Sequence, residues 1–303
     1  MLELTARALP AVATTVAQAR DNIIEKSKAN WVTRLRKEDI ISIVEKLPAY
    51  ETELVRKTGL SLKEIAIRSL EDRGQKIRTV AGAHMAAVVP ISWGQGIIEG
   101  FAQGVKGILT HIGANAFVTR ESDVAGLAEA VEKGADIAFL ADDNRFIALN
   151  FPLRRVVDNA EATAQGYVSA LEAMAGNLSG LQVLVIGGAG RVGWNAVLAL
   201  EKRGARPAVF DPNQNRMESL AKGHEITIER NLEEALSRYS LLFDASPAAD
   251  IIQARHIKPE TFIAAPGIPL GLSQEAYLLA RERLIHDVLE IGVATMWVHA
   301  CCV

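Results

Sequence analysis

Apolar and polar positions change period several times along the chain, and each change marks an element. Between Arg36 and Pro48, Ile40, Ile41, Ile43, Val44 and Leu47 recur at helical spacing. Pro48 lacks an N–H donor and is expected to end that helix, with a second helix over residues 49–58. Ser61-Leu62-Lys63-Glu64 reads as a capping box opening a third helix, whose apolar set is Leu62, Ile65, Ala66 and Leu70. Short apolar runs follow. Residues 86–91, 115–119 and 136–141 read as strands, separated by helices over residues 97–112 and from Ser122 or Asp123 to Val131. Such β-α-β-α-β alternation points to a largely parallel sheet.

Residues 157–174 are strongly helical and lead into a second alternating region. There the apolar run from Leu181 to Ile186 reads as a buried parallel strand. It enters Gly187-Gly188-Ala189-Gly190-Arg191-Val192-Gly193, and a helical pattern continues from Trp194 to Arg203. Further strands are expected at residues 208–210, 226–228, 241–244, 261–265 and 284–286. Helices are expected at residues 214–222, 232–237, 251–255 and 273–281, with an apolar one from Val293. The expected architecture is α/β. An N-terminal domain covers residues 1–160, with an extension over residues 1–30, then helical from residue 36, then α/β. A doubly wound Rossmann domain covers residues 161–303.

Composition narrows the partners. Of 303 residues, 49% are hydrophobic and 23% charged, the profile of an ordinary soluble globular protein. A formal charge of -3 without a long basic run argues against nucleic acid. Gly, Pro or charge interrupts every apolar stretch short of the ~20 residues a membrane span needs. The N-terminus carries no signal-peptide pattern. The two cysteines, Cys301 and Cys302, make neither a disulfide framework nor a zinc site, so a reducing, cytoplasmic setting is expected.

The glycine stretch carries the strongest chemistry. Gly188, Gly190 and Gly193 match G-x-G-x-x-G between a strand and a helix. Gly188 is expected to make the tight turn, Gly190 to admit a pyrophosphate, and Gly193 to let the helix pack on the strand. The helix start, with Arg191 and Val192, offers free N–H groups to the phosphates. Asp211 ends the next strand about 20 residues on, where the ribose-binding carboxylate of an NAD site belongs. A ligand-free glycine turn is the bland alternative, and the coincidence of strand, turn, helix and acid argues against it.

Ligands of open α/β sheets bind beyond the carboxyl ends of strands. Four loops qualify: residues 92–96, 142–144, 245–247 and 266–269. Ser246, Pro247, Pro266 and Gly267 would lie along the nicotinamide half of NAD. Adjacent residues point apart, so one of Asp142 and Asp143 is expected to face the cleft and the other to cap a following helix. His84, His111, His224, His256, His286 and His299 have no motif behind them and are expected to be structural, with His224 and His256 among surface-type residues.

Taken together, these loops resemble one family, the pyrrolysine synthases of the PylD type. The resemblance runs from about Leu35 to Trp297. It is densest in Val89-Pro90-Ile91-Ser92-Trp93-Gly94-Gln95-Gly96, in Ala141-Asp142-Asp143-Asn144 with Phe146 and Asn150, in Ala245-Ser246-Pro247-Ala248, in Pro266-Gly267-Ile268-Pro269 and in Ile291-Gly292-Val293-Ala294-Thr295-Met296. Trp93 departs from it, standing where a small polar residue is expected. The resemblance implies an NAD-dependent amine dehydrogenase acting on L-lysine-Nε-(3R)-3-methyl-D-ornithine. Oxidation of the terminal amine carbon gives an imine, whose hydrolysis releases ammonia. The aldehyde then closes the pyrroline ring with loss of water. Asp142 would anchor a substrate ammonium or relay its proton. Leu35 and Phe101 would form an apolar wall, and Ser92, Asn144, Ser246, Ile268 and Thr295 would line the pocket. The implied partner is the small-molecule isopeptide, with no nucleic acid or membrane and with a homodimer left open.

Two other readings compete. A dehydrogenase of the shikimate or amino-acid type would share the layout, but it usually needs a Lys/Asp pair, and no lysine stands at a strand end near Asp142. A non-catalytic NAD-binding redox sensor would bring a DNA-binding element, and no basic recognition helix is present.

Overall fold

A computed structural model describes residue 35 and residues 37–71, 84–94 and 96–302; the expected extension over residues 1–30 lies outside them. All belong to the compact unit that begins at Leu35. Three helices open it: α1 (Lys37–Ile40), α2 (Ile43–Thr58) and α3 (Leu62–Glu71). Pro48 lies inside α2 and does not end it. In the second turn it removes only the hydrogen bond to the Val44 carbonyl. Burial of Ile43, Leu47 and Leu54 along one face keeps the helix intact. The capping box of α3 forms as expected, with Ser61 N–H donating to Glu64 Oε2 at 2.8 Å and Glu64 N–H to Ser61 Oγ at 3.2 Å.

The first sheet comprises β1 (Met85–Val89), β2 (Asn115–Val118), β3 (Ile137–Ala141), β4 (Phe146–Asn150) and β5 (Arg155–Asp158), with α4 (Phe101–His111) and α5 (Asp123–Glu132) between its parallel strands. Its order is β2-β1-β3-β4-β5. The first three strands run parallel, while β4 and β5 add as antiparallel hairpins. The sequence pattern does not predict these two strands; it leads from residue 144 directly to a helix.

Helix α6 (Asn159–Ala175) leads to the second sheet. That sheet contains β6 (Gln182–Ile186), β7 (Arg206–Phe210), β8 (Thr227–Ile228), β9 (Leu241–Asp244), β10 (Phe262–Ala264) and β11 (Leu284–Ile285). The intervening helices are α7 (Arg191–Lys202), α8 (Gln214–Leu220), α9 (Leu232–Arg238) and α10 (Gln274–Ala280). The order β11-β10-β9-β6-β7-β8, parallel throughout, is that of a Rossmann sheet, with its topological switch between β6 and β9. The helix expected over residues 251–255 is replaced by an Ile252–Leu272 bridge and a 3₁₀ turn at Ala254–His256.

The last helix, α11 (Glu290–Cys301), is buried on every side, which suits a sequence apolar all round. It returns to the first sheet, where Asn150 Nδ2 donates to the Ala300 carbonyl at 2.9 Å and Arg155 to that of Cys302 at 2.7 Å. Small residues bring α6 and α11 close together. A Cβ on Gly166 would stand 2.5 Å from both Ile291 and Thr295. No helix among the described residues is long and apolar enough to cross a membrane.

Candidate active site between the two sheets

Strand β6 delivers the chain into the glycine turn. The glycine in the left-handed region is Gly187, with φ of 78°. It therefore makes the tight turn that the sequence pattern assigns to Gly188. At Gly188 the constraint is steric instead. A Cβ there would stand 2.0 Å from Val209 Cγ1, so its absence lets the turn lie flat on β7. Gly193 packs α7 onto the strand as expected, since its Cβ would meet the Gly187 carbonyl oxygen at 2.2 Å. Gly190 is exposed, and a Cβ there would meet only that same oxygen, at 3.1 Å. It caps α7, whose first-turn N–H groups at Arg191, Val192 and Gly193 have no partner within the helix. Val192 is half-buried against the core.

Asp211 closes this cradle. Its Oδ2 accepts from Ala189 N–H at 3.0 Å and its Oδ1 from Asn213 N–H at 2.8 Å. The carboxylate thus braces the glycine turn. Each oxygen keeps a further acceptor direction, which suits a vicinal diol.

The loops after β9 and β10 interlock beside the turn. A Cβ on Gly187 would stand 3.0 Å from Ala245 and Ser246 backbone atoms, and one on Gly267 would stand 2.3 Å from the Ser246 carbonyl oxygen. The organiser is Asp244, wholly buried at the end of β9. Its Oδ1 accepts from Ser246 N–H at 3.0 Å and from Ser246 Oγ at 2.7 Å. Its Oδ2 is buried without a hydrogen-bond partner. Burial pushes this carboxyl up to about 6, partly offset by the two Ser246 donors and by the Gly271 backbone beside Oδ2. The Ser246 hydroxyl is therefore committed to Asp244. Pro247 is exposed, and Pro266 and Ile268 are half-buried.

Facing residues come from the first sheet. Residues 142–145 form the turn between β3 and β4. Asp142 Oδ1 accepts from Asn144 N–H at 2.8 Å and Arg145 N–H at 2.7 Å. Asp142 is exposed and caps a hairpin, not the helix expected there. Asp143 lies against the preceding loop: a Cβ on Gly94 would stand 2.2 Å from its Oδ2. Gly94 and Asp143 thus bring the loop after β1 against the β3–β4 turn. Ser92 is exposed, and both its N–H and its hydroxyl donate to the Asp123 carboxylate. Phe101 starts α4 and meets Phe146 edge-on at 5.3 Å between ring centroids, while Leu35 packs half-buried on the same core. Thr295 is not at the loops. It is wholly buried against Gly166, with no hydrogen-bond partner for its Oγ1.

One guanidinium joins the two halves. Arg191 Nη1 donates to the Asn144 carbonyl at 2.9 Å, and Nη2 to Asp158 Oδ2 at 2.6 Å. Arg145 donates to the same Oδ2 at 3.0 Å and 3.2 Å. Asp158 Oδ1 accepts from Ala160 N–H at 2.9 Å and caps α6. Sequence reasoning missed Asp158 and Arg145. An aspartate just ahead of a long helix was the available signal.

His256 is wholly buried against Glu233, not at the surface. Ser69 Oγ lies 2.7 Å from His299 Nε2 in a hydrogen bond that ties α11 to α3.

Among known proteins, the model of the family described as "Pyrrolysine biosynthesis protein PylD, N-terminal domain" matches residues 39–157. The pyrrolysine synthase of Methanosarcina acetivorans is 30% identical over 262 residues, covering 86% of this chain and 97% of that protein. The one of Methanosarcina barkeri is 28% identical, covering 86% and 95%. A crystal structure of shikimate dehydrogenase from Aquifex aeolicus is similar with a TM-score of 0.51 at 14% identity, covering 73% of this chain and 94% of that one. That likeness is one of fold.

Proposed function

The chain belongs to the pyrrolysine synthase family of the PylD type, and from that premise we propose that it is an NAD-dependent amine dehydrogenase that forms pyrrolysine from the lysine–methylornithine isopeptide. The observation that carries this reading is the cradle of Gly187, Gly190 and Asp211, tied through Arg191 to the Asp142–Arg145 turn. The residues suit a dinucleotide: the exposed Gly190 backbone, unpartnered N–H groups at the start of α7 and the Arg191 charge suit a pyrophosphate, and Asp211 suits an unphosphorylated ribose. Bound NAD would supply one thing, a hydride acceptor for the amine-bearing carbon.

The chain's own residues have to hold one substrate pose. The terminal amine of the substrate is cationic near neutrality, with a lysine-like pKa of ~10.4. Asp142 already uses Oδ1 for its turn, and its exposed carboxylate is the anchor for one ammonium. The Phe101–Phe146 pair is the apolar wall beside it. In total, the substrate loses ammonia and two hydrogens, because the water consumed in imine hydrolysis is released again on ring closure. Mass analysis of the isopeptide after incubation with the full chain and NAD tests this reading. A product lighter by those elements supports it, and an unchanged isopeptide overturns it.

A further inference from the structure

Asp158 lies between two guanidiniums that come from opposite halves of the site. Arg145 belongs to the turn that Asp142 caps, and Arg191 to the start of the glycine helix. Both donate to one oxygen, Oδ2, while Oδ1 is fixed on α6. The carboxylate is mostly shielded, at 19% exposure, while Arg191 and Arg145 are 47% and 56% exposed. Two positive charges share one negative charge, so the trio keeps a surplus of one. It keeps it beside α7, whose N-terminus already favours an anion.

Resting on the dinucleotide reading above, we infer that Asp158 is a positioning residue that couples cofactor occupancy to the geometry of the Asp142–Arg145 turn. Arg191 has five N–H donors in a planar fork, and the Asn144 carbonyl and Asp158 use two of them. The remaining donors can meet a pyrophosphate seated on α7 without releasing either partner. An anion there would also damp the mutual repulsion of Arg145 and Arg191, which works against the closed arrangement when the site holds none. Cofactor binding on the second sheet therefore tightens a turn on the first, and by linkage the tightened turn favours the cofactor. The carboxylate transmits this effect and touches neither ligand.

Hydrogen exchange of the Asn144 and Arg145 amides, read with and without NAD, tests the inference. Calorimetry on the same samples shows whether NAD is bound. In the unaltered protein, saturating NAD should slow exchange of these two amides roughly tenfold, within the range of allosteric couplings. Asp158→Asn keeps the Oδ1 acceptor that caps α6 and removes the charge that holds the guanidiniums. It should still fold and bind NAD, yet lose the slowing. Asp158→Glu should restore part of it, which a purely structural cap would not do. NAD binding without slowing in the unaltered protein overturns the inference while leaving the cofactor reading intact. Equal slowing in Asp158→Asn overturns it too. If the unaltered protein binds no NAD, the cofactor reading and this inference both fall.

Discussion

The hydroxyl of Tyr50 donates to Asp287 Oδ2 at 2.7 Å, joining α2 to the loop after β11 across 237 positions of sequence. Tyr167 from α6 reaches the same residue, donating to its carbonyl at 3.1 Å and accepting its N–H at 2.8 Å. Burial, and then the neighbouring Glu290 charge, hold the Asp287 carboxyl well above the usual carboxylate range. Tyr50→Phe keeps the ring and deletes a donor to a buried acceptor, so it should cost ~1–3 kcal/mol of unfolding free energy. Denaturant titration measures this, and an unchanged midpoint would contradict the role given to Tyr50.

Asp244 makes stability depend on pH. Its folded value is about 6 against an ordinary 3.8, so the folded chain holds a proton that the unfolded chain has released. Stability contributed here is fully present below the ordinary value and falls as pH rises to about 6. The loss at neutral pH is about 3 kcal/mol. Asp244→Asn keeps an acceptor for both Ser246 donors and removes the charge. It should melt higher than the unaltered protein at neutral pH, with the advantage vanishing near pH 4. Asp287 gives a slope of the same sign, so the readout is the difference between the two proteins. A difference independent of pH would contradict this role for Asp244.

Much of this was legible in the sequence. The glycine fingerprint with Asp211, the capping box of α3 and the four strand-end loops follow from local pattern, and the parallel alternation predicts both sheets. What was not legible depends on distant partners. Strands β4 and β5 are short and half-buried, and pairing selects them, β4 on β3 and β5 on β4. Pro48 stays helical because the core holds α2. Asp158, Tyr50 and Asp287 acquire their roles through side chains 13 to 237 positions away. The left-handed glycine stands one position earlier than the pattern suggests, because periodicity does not distinguish Gly187 from Gly188.

The glycines separate fold from binding. Gly193→Ala puts a methyl group on rigid backbone at 2.2 Å and should destabilise the chain by ~1–3 kcal/mol. A side chain at Gly190 is exposed and meets a single neighbour, the Gly187 carbonyl oxygen at 3.1 Å, so Gly190→Val should lower the melting temperature only slightly and stay folded, yet lose NAD binding by calorimetry. Unchanged NAD affinity in a folded Gly190→Val protein would put the cofactor elsewhere.

Asp142 separates cap from anchor. Asn is as good a cap for the turn, so Asp142→Asn should keep its melting temperature, whereas Asp142→Ala should lose ~1 kcal/mol. Loss of a charged partner for the substrate ammonium should lower kcat/KM ~10- to 100-fold in Asp142→Asn, equivalent to ~1.5–3 kcal/mol. Unaltered kcat/KM would leave Asp142 a cap alone and direct attention to Asp143.

The most direct test of the whole reading is the rate of NAD reduction by the full chain, followed by the near-ultraviolet absorbance of the reduced nicotinamide. With the lysine–methylornithine isopeptide, reduced cofactor should accumulate in step with released ammonia, and shikimate should give none. Reduction with shikimate but not the isopeptide, or no reduction by protein that binds NAD, would contradict it.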